Sequence, residues 1–289
     1  MSLKIVVLAK QVPDTRNVGK DAMTPEGTVN RAALPAIFNP EDLNALEQAL
    51  RLKDQYPGSV VTVLTMGLPK AADVLRDSLY RGAVAGVLLT DRALGGADTL
   101  ATSYALSQAI RKMGMPDIIV GGRQAIDGDT AQVGPQVAQK LGIDQVTYVE
   151  SIESLKDGKV TLVRRIDGGV ERVEAPLPLL ITVTGSAASC RPQNAKRVMK
   201  FKRATAPVER TENMPYADEY EKKPFLTLTQ WGAADIDADL EQCGLAGSPT
   251  KVKAVQNIVF KAKKSKRLTA ADAEVESLIQ ELLESHTIG

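Results

Sequence analysis

The chain has 289 residues, 44% of them hydrophobic and 25% charged, a composition that fits a globular protein and excludes a disordered tail or a fibre. With 36 Lys+Arg against 35 Asp+Glu and eleven Phe, Trp and Tyr residues, it lacks the basic surplus and aromatic surface that nucleic-acid binding needs. Two cysteines, Cys190 and Cys243, cannot build a disulfide framework or a zinc site by themselves, and the lone histidine, His286, stands near the end of the chain. Chemistries built on a histidine base are therefore excluded unless a partner supplies one.

The first apolar run, within 4–9 (KIVVLA), is too short for a signal peptide or a membrane span and reads as a buried strand. Soluble and cytoplasmic is the expectation. Segments 60–64, 87–90 and 118–120 are likewise short, β-branched and apolar on both faces, as strands of a parallel sheet covered by helices are. Asn39-Pro40 followed by Glu41 and Asp42 predicts a helix start, with Asn39 as its cap. Asp98-Thr99 predicts a second helix and Asp129-Thr130 a third. Strands alternating with helices make an α/β fold with a doubly wound, mainly parallel sheet.

After about residue 145 the pattern changes. Segments 160–165, 170–174 and 179–184 predict strands, with Asp167-Gly168-Gly169 as a hairpin turn. Basic runs at 196–203 and 261–267 read as solvated faces. From about 201 to 249 the chain is proline-punctuated and irregular, like an extended arm. It closes with a helix in which Val275, Leu278, Ile279, Leu282 and Leu283 form an apolar stripe that must be buried on the parent domain or on a partner. Residues 1–200 are thus expected to form an α/β nucleotide-binding domain, and 201–289 a C-terminal arm and helix.

In such a sheet, ligands sit beyond the carboxyl ends of the strands. The richest strand-end loop is 121–135, GGRQAIDGDTAQVGP. It turns through glycines into a helix start whose N–H groups suit an anion, and Arg123 could add a contact to phosphate. The competing reading is a tight turn and nothing more; Asp127 and Asp129 would repel a phosphate unless otherwise engaged. Lys10 to Asp14, Thr65 to Gly67, and Asp91 end the other strands at the same edge. Neither the G-x-G-x-x-G nor the P-loop pattern is present. No side chains form a recognisable catalytic pairing or metal site, so a bound cofactor is expected to carry the chemistry.

Three stretches together, the loop GRQAIDGDTAQVGP, the segment VRRIDGGVERVEAPLPLLITV (163–183) and the Asn39-Pro40 helix start after a strand ending in Lys10, resemble the β subunit of electron-transfer flavoproteins over nearly the whole chain. The resemblance implies a Rossmann-like, adenine-nucleotide-binding sheet and a C-terminal arm that wraps an α subunit, which carries an FAD of its own. It implies nucleotide contacts at Ala9, Asn39, Pro40, Glu41, Asp42 and Met66, and at Arg123, Gln124, Ala125, Ile126, Asp127, Gly128, Asp129, Thr130, Ala131, Gln132, Val133 and Gly134. Thr130 to Val133 would hold phosphate, while Asn39 and Met66 would sit near the adenosine.

Lys10-Gln11-Val12-Pro13, Asp127 to Thr130 and 244–252 (GLAGSPTKV) resemble the electron-bifurcating branch. There the β subunit binds a second FAD, reduced by NADH, whose electrons go to the α-subunit FAD and to ferredoxin or flavodoxin. The alternative is a conventional β subunit holding structural AMP and docking a dehydrogenase; a nucleotide-sensing protein resembling universal stress proteins is more remote. Residues 185–193 (GSAASCRPQ) depart from the family's Asn-x-Pro-Arg-Tyr-like partner loop and keep Arg191, so the resemblance names no particular dehydrogenase. A subunit with a partner-wrapping arm is expected to be poorly soluble alone.

Overall fold

The computed structural model describes residues 2–14, 35–212, 214, 216–250, 265, 267–285 and 287–288. His286, Lys251, Val252 and most of the basic run 261–267 lie outside the described residues.

β1 (Lys4–Leu8) is buried on both faces, and the short β2 (Gln11–Pro13) pairs antiparallel with β3 (Ala36–Phe38). α1 (Pro40–Gln55) starts on Pro40, where the missing N–H has no intrahelical partner to lose. β4 (Val60–Met66), α2 (Ala72–Arg81), β5 (Ala85–Leu89), α3 (Thr99–Met113) and β6 (Ile118–Gly122) continue the alternation. Asp98 caps α3, accepting from the N–H groups of Leu100 and Ala101. α4 (Val133–Leu141) follows. The sequence predicts its start at Asp129-Thr130, but Asp129 and Ala131 have φ of 50° and 53°. Those left-handed residues cannot belong to a right-handed helix, which therefore begins four residues later than Asp129.

β7 (Asp144–Lys156), β8 (Lys159–Ile166) and β9 (Gly169–Pro176) form an antiparallel meander, and β10 (Leu179–Val183) returns to the parallel part. The last three coincide with expected strands. The thirteen-residue β7 was not expected: it carries a bulge at 147–148, where Tyr148 has φ of 59°, and the bulge interrupts its alternation. The basic run 196–203 is only partly a solvated face. It overlaps α5 (Ala195–Phe201), and Arg197 donates to the carbonyls of Leu79 and Ala83 at the end of α2. After α6 (Glu219–Lys222), β11 (Thr229–Trp231) pairs in parallel with β5. α7 (Asp272–Glu284) is the last element among the described residues.

The nine strands run in the order β11-β5-β4-β1-β6-β10-β7-β8-β9. From β1 the chain winds outward to β4 and β5, then returns to place β6 on the other side of β1. The reversal between β1 and β6 is the position where a crevice opens for ligands. Alternate residues feed two cores. Ile5, Val7, Val61 and Val63 pack with Leu46, Leu50 and Leu75 on one face; Val6, Leu8, Leu64 and Ile119 pack with Leu106, Ile110 and Val137 on the other.

Parts of the irregular segment join these layers: Tyr220, Leu226 and Leu228 the first, Ile236 and Cys243 the second. By contrast, no residue of α7 is buried, and Val275, Ile279 and Leu283 are 43%, 47% and 49% exposed. Among the described residues, no helix is long and apolar enough to cross a membrane.

Candidate functional site

Three segments meet at the β1–β6 reversal: the end of β1, the first turn of α1, and the loop that leaves β6. Asn39 is fully buried. Its Nδ2 donates to the Gln124 carbonyl at 2.9 Å, and its Oδ1 accepts from the Ile126 N–H at 3.2 Å. The residue does stand at the helix-cap position, but its side chain makes no capping bond. It clamps the loop instead.

Glu41 and Asp42 extend the clamp. Glu41 accepts from the Gln124 N–H at 2.9 Å through Oε2 and from the Arg123 guanidinium at 3.1 Å through Oε1. Asp42 is buried, taking the Lys10 N–H at 2.8 Å and the Gly122 N–H at 2.9 Å on its two oxygens. It thereby ties the ends of β1 and β6 together. Burial pushes its carboxyl up to about 7, against the opposing pull of those N–H groups. Gly122 is required here: a Cβ would collide with Asp42 Oδ1 and lie 2.8 Å from the Asp42 nitrogen.

Beyond the clamp, the Ala125 carbonyl accepts from the N–H groups of Gly128 and Asp129, closing a turn. The two aspartates that would oppose a phosphate are both engaged. Asp127 receives the Lys10 ammonium at 2.8 Å on each oxygen, and Asp129 accepts from the Gln124 side-chain amide at 2.8 Å. Residues 128–130 are exposed.

The loop then enters α4, whose N-terminus has no capping side chain. Its first turn presents the N–H groups of Val133 and Gly134 at the positive end of the helix dipole, while Pro135 offers none. A Cβ on Gly134 would lie 2.7 Å from Thr182 Cγ2, so the glycine sets the close approach of α4 to β10. The Thr99 hydroxyl, 2.9 Å from Gln132 Oε1, links the starts of α3 and α4.

The sequence-selected residues thus fall along one sheet edge. Ala9, buried, donates its N–H to the Leu64 carbonyl, and Met66, half-buried, ends the adjacent β4. Asn39, Glu41 and Asp42 contact the 122–126 backbone directly, whereas among the described residues no hydrogen bond links Pro40 or Met66 to that loop. Lys10 and Tyr148 were not selected as site residues. The Arg123 guanidinium lies 5.3 Å from the centre of the Tyr148 ring, a cation–π contact. Twenty-five positions separate the pair, and Tyr148 sits at the β7 bulge, which leaves little trace in the sequence.

The site has backbone donors for an anion and carboxylates already engaged as structural acceptors. Burial raises both cysteines, Cys190 to about 11, so neither is a thiolate near neutral pH. Among the described residues, no group of three or more His, Cys, Asp and Glu could hold a metal ion.

Comparison with known proteins matches residues 26–210 to the electron transfer flavoprotein domain. The chain is 46% identical over 252 residues to the electron transfer flavoprotein subunit beta of Clostridium acetobutylicum, covering 87% of this chain and 86% of that one. It is 44% identical over 250 residues, 86% of each chain, to the caffeyl-CoA reductase-Etf complex subunit CarD of Acetobacterium woodii. It is 41% identical over 298 aligned positions to the acryloyl-CoA reductase electron transfer subunit gamma of Anaerotignum propionicum, covering 99% of this chain and all of that one.

Proposed function

The chain belongs to the electron transfer flavoprotein family, as a β subunit, and from that premise we propose that it binds FAD at the β1–β6 edge and works in the cytoplasm within an αβ heterodimer. The chemistry this cofactor supplies is acceptance of a hydride from NADH and division of the two electrons between the α-subunit FAD and ferredoxin or flavodoxin.

The observation that carries the reading is the clamp of Asn39, Glu41 and Asp42 on the 122–126 backbone, set before the uncapped start of α4. It fixes a loop ready for a phosphate-bearing ligand at the point where strand order reverses. Because α4 begins at Val133 and not at Thr130, the helix N–H donors for the diphosphate in this reading are those of Val133 and Gly134 in place of the expected Thr130 to Val133. The space beside Gly128 is open, since a Cβ there would meet nothing within 4 Å, so a diphosphate can approach the backbone closely. Met66, half-buried at the end of β4, faces the adenosine, while the buried Asn39 acts on it only through the loop it clamps. The chain itself binds and orients; electron transfer belongs to the cofactor.

Two relatives bear names of reductase electron-transfer components, which favours the bifurcating form of the reading. The alternative is structural AMP in the same pocket, with the subunit docking a dehydrogenase; the plain subunit-beta name of the Clostridium relative fits it equally. Family membership displaces the stress-protein alternative. Of the C-terminal residues 201–289, those up to Cys243 that join the chain's own cores serve the domain itself, and we assign the uncovered stripe of α7 to the α-subunit interface.

The test is nucleotide release from the co-expressed αβ complex by denaturation, followed by chromatography. Two FAD per heterodimer are expected; one FAD with one AMP would establish the conventional form instead.

A further inference from the structure

We propose that Lys10 is a positioning residue for the nucleotide: its ammonium neutralises Asp127 and holds the 124–129 turn against the end of β1, so that this acidic loop accepts a phosphate-bearing ligand. The inference rests on the nucleotide reading of the site given above.

Four carboxyl groups stand at the edge, Glu41, Asp127 and Asp129 together with the buried Asp42, against two cations, Lys10 and Arg123. Left uncompensated, this balance would repel any phosphate. Three of the acids are held by groups within the clamp and loop: Glu41 by Arg123 and the Gln124 N–H, Asp42 by two backbone N–H groups, and Asp129 by the Gln124 amide. Asp127 differs. Among the described residues its only hydrogen-bond donor is the Lys10 ammonium, 2.8 Å from both oxygens, and Lys10 has no other side-chain partner.

The pair also joins segments 117 positions apart. Lys10 directly follows Ala9 at the end of β1, and its backbone N–H is fixed by Asp42. The ammonium therefore starts from a rigid base and reaches across the strand reversal to the loop. Lys10 is 49% exposed, and a pair this open contributes little to folding stability. Its effect is local, on the potential an incoming anion meets and on where the turn rests.

The test uses the αβ complex and measures the affinity of the β pocket for added FAD and, separately, added AMP, with thermal melting as the control for folding. Lys10→Met should weaken binding at least tenfold with an unchanged melting temperature. Lys10→Arg should stay within about threefold of the native complex. Lys10→Met combined with Asp127→Asn should recover most of the loss, because the uncompensated anion is gone. Native affinity in Lys10→Met would overturn the proposal, as would a double variant no better than Lys10→Met, which would make Lys10 a direct ligand contact. A native complex that takes up neither nucleotide would overturn the nucleotide reading and this inference together.

Discussion

At the scale of single residues, the site is built on buried polar groups that act on backbone. Asp42 is the most consequential of them. An aspartate with an ordinary value of 3.8 is held at about 7 by burial, so the folded state binds its proton more tightly than the unfolded chain does. The sign follows: stability from this group is greatest below the ordinary value and is lost as pH rises toward 7, by roughly 2–4 kcal/mol in all. Thermal melting of the protein should therefore decline between about pH 4 and 7 on account of Asp42 and flatten above. In Asp42→Asn that component should be absent. An identical pH profile in the variant would show that the carboxylate is ionised throughout.

At the scale of elements, α1 organises more than the clamp. Farther along the same helix, Asn44 donates to the carbonyls of Ala187 and Ala188, and Glu47 accepts from the Arg191 backbone N–H and guanidinium at 3.0 and 2.9 Å. Glu47 is only 5% exposed. Burial alone would raise its carboxyl, but the hydrogen bonds from Arg191 outweigh it and hold the carboxyl below the ordinary value. Arg191→Ala would leave that carboxylate under-partnered, at a cost of about 1–3 kcal/mol in denaturant unfolding. Hydrogen exchange should rise across 185–191 while the 122–126 amides stay protected. Equal loosening of both would mean that α1 does not hold them separately.

Elements with strong local signals were legible in the sequence. The apolar runs of β1, β4, β5 and β6, the Asn39-Pro40 and Asp98-Thr99 helix starts and the turn at Gly168 all depend on neighbouring residues. The exceptions arose where tertiary contacts prevail over local pattern. Asn39 sits where a cap belongs, yet its amide is drawn to Gln124 and Ile126, 85 and 87 positions away. Asp129 and Ala131 adopt left-handed conformations that residue type alone does not announce. The bulge at Tyr148 hides β7 from its own alternation and, with it, the partner of Arg123. The 121–135 loop was visible as a candidate because its glycines are local; Lys10 stayed in the background because its role depends on a residue 117 positions away.

At the scale of the molecule, two surfaces contrast. The sheet carries a full hydrophobic layer on each side, and residues up to Cys243 contribute to those layers. α7 does not, and leaves Ile279 and Leu283 about half exposed. Because both side chains are about half exposed and no residue of α7 is buried, Ile279→Asp with Leu283→Asp should change the stability of the isolated chain by less than about 0.5 kcal/mol per site. The same pair should weaken association with the α subunit by at least tenfold in a titration. Undiminished association would remove α7 from the interface.

The proposal that most needs testing is that the site at the β1–β6 edge holds a redox-active flavin and not a structural nucleotide. Anaerobic titration of the αβ complex with NADH, followed by flavin absorbance, tests it most directly. The account predicts that NADH bleaches flavin in the native complex. It also predicts that the response is lost in Gly122→Ala, whose Cβ would displace the Asp42 clamp while leaving the α-subunit flavin bound. A native complex with its full flavin content whose spectrum does not respond to NADH would contradict it.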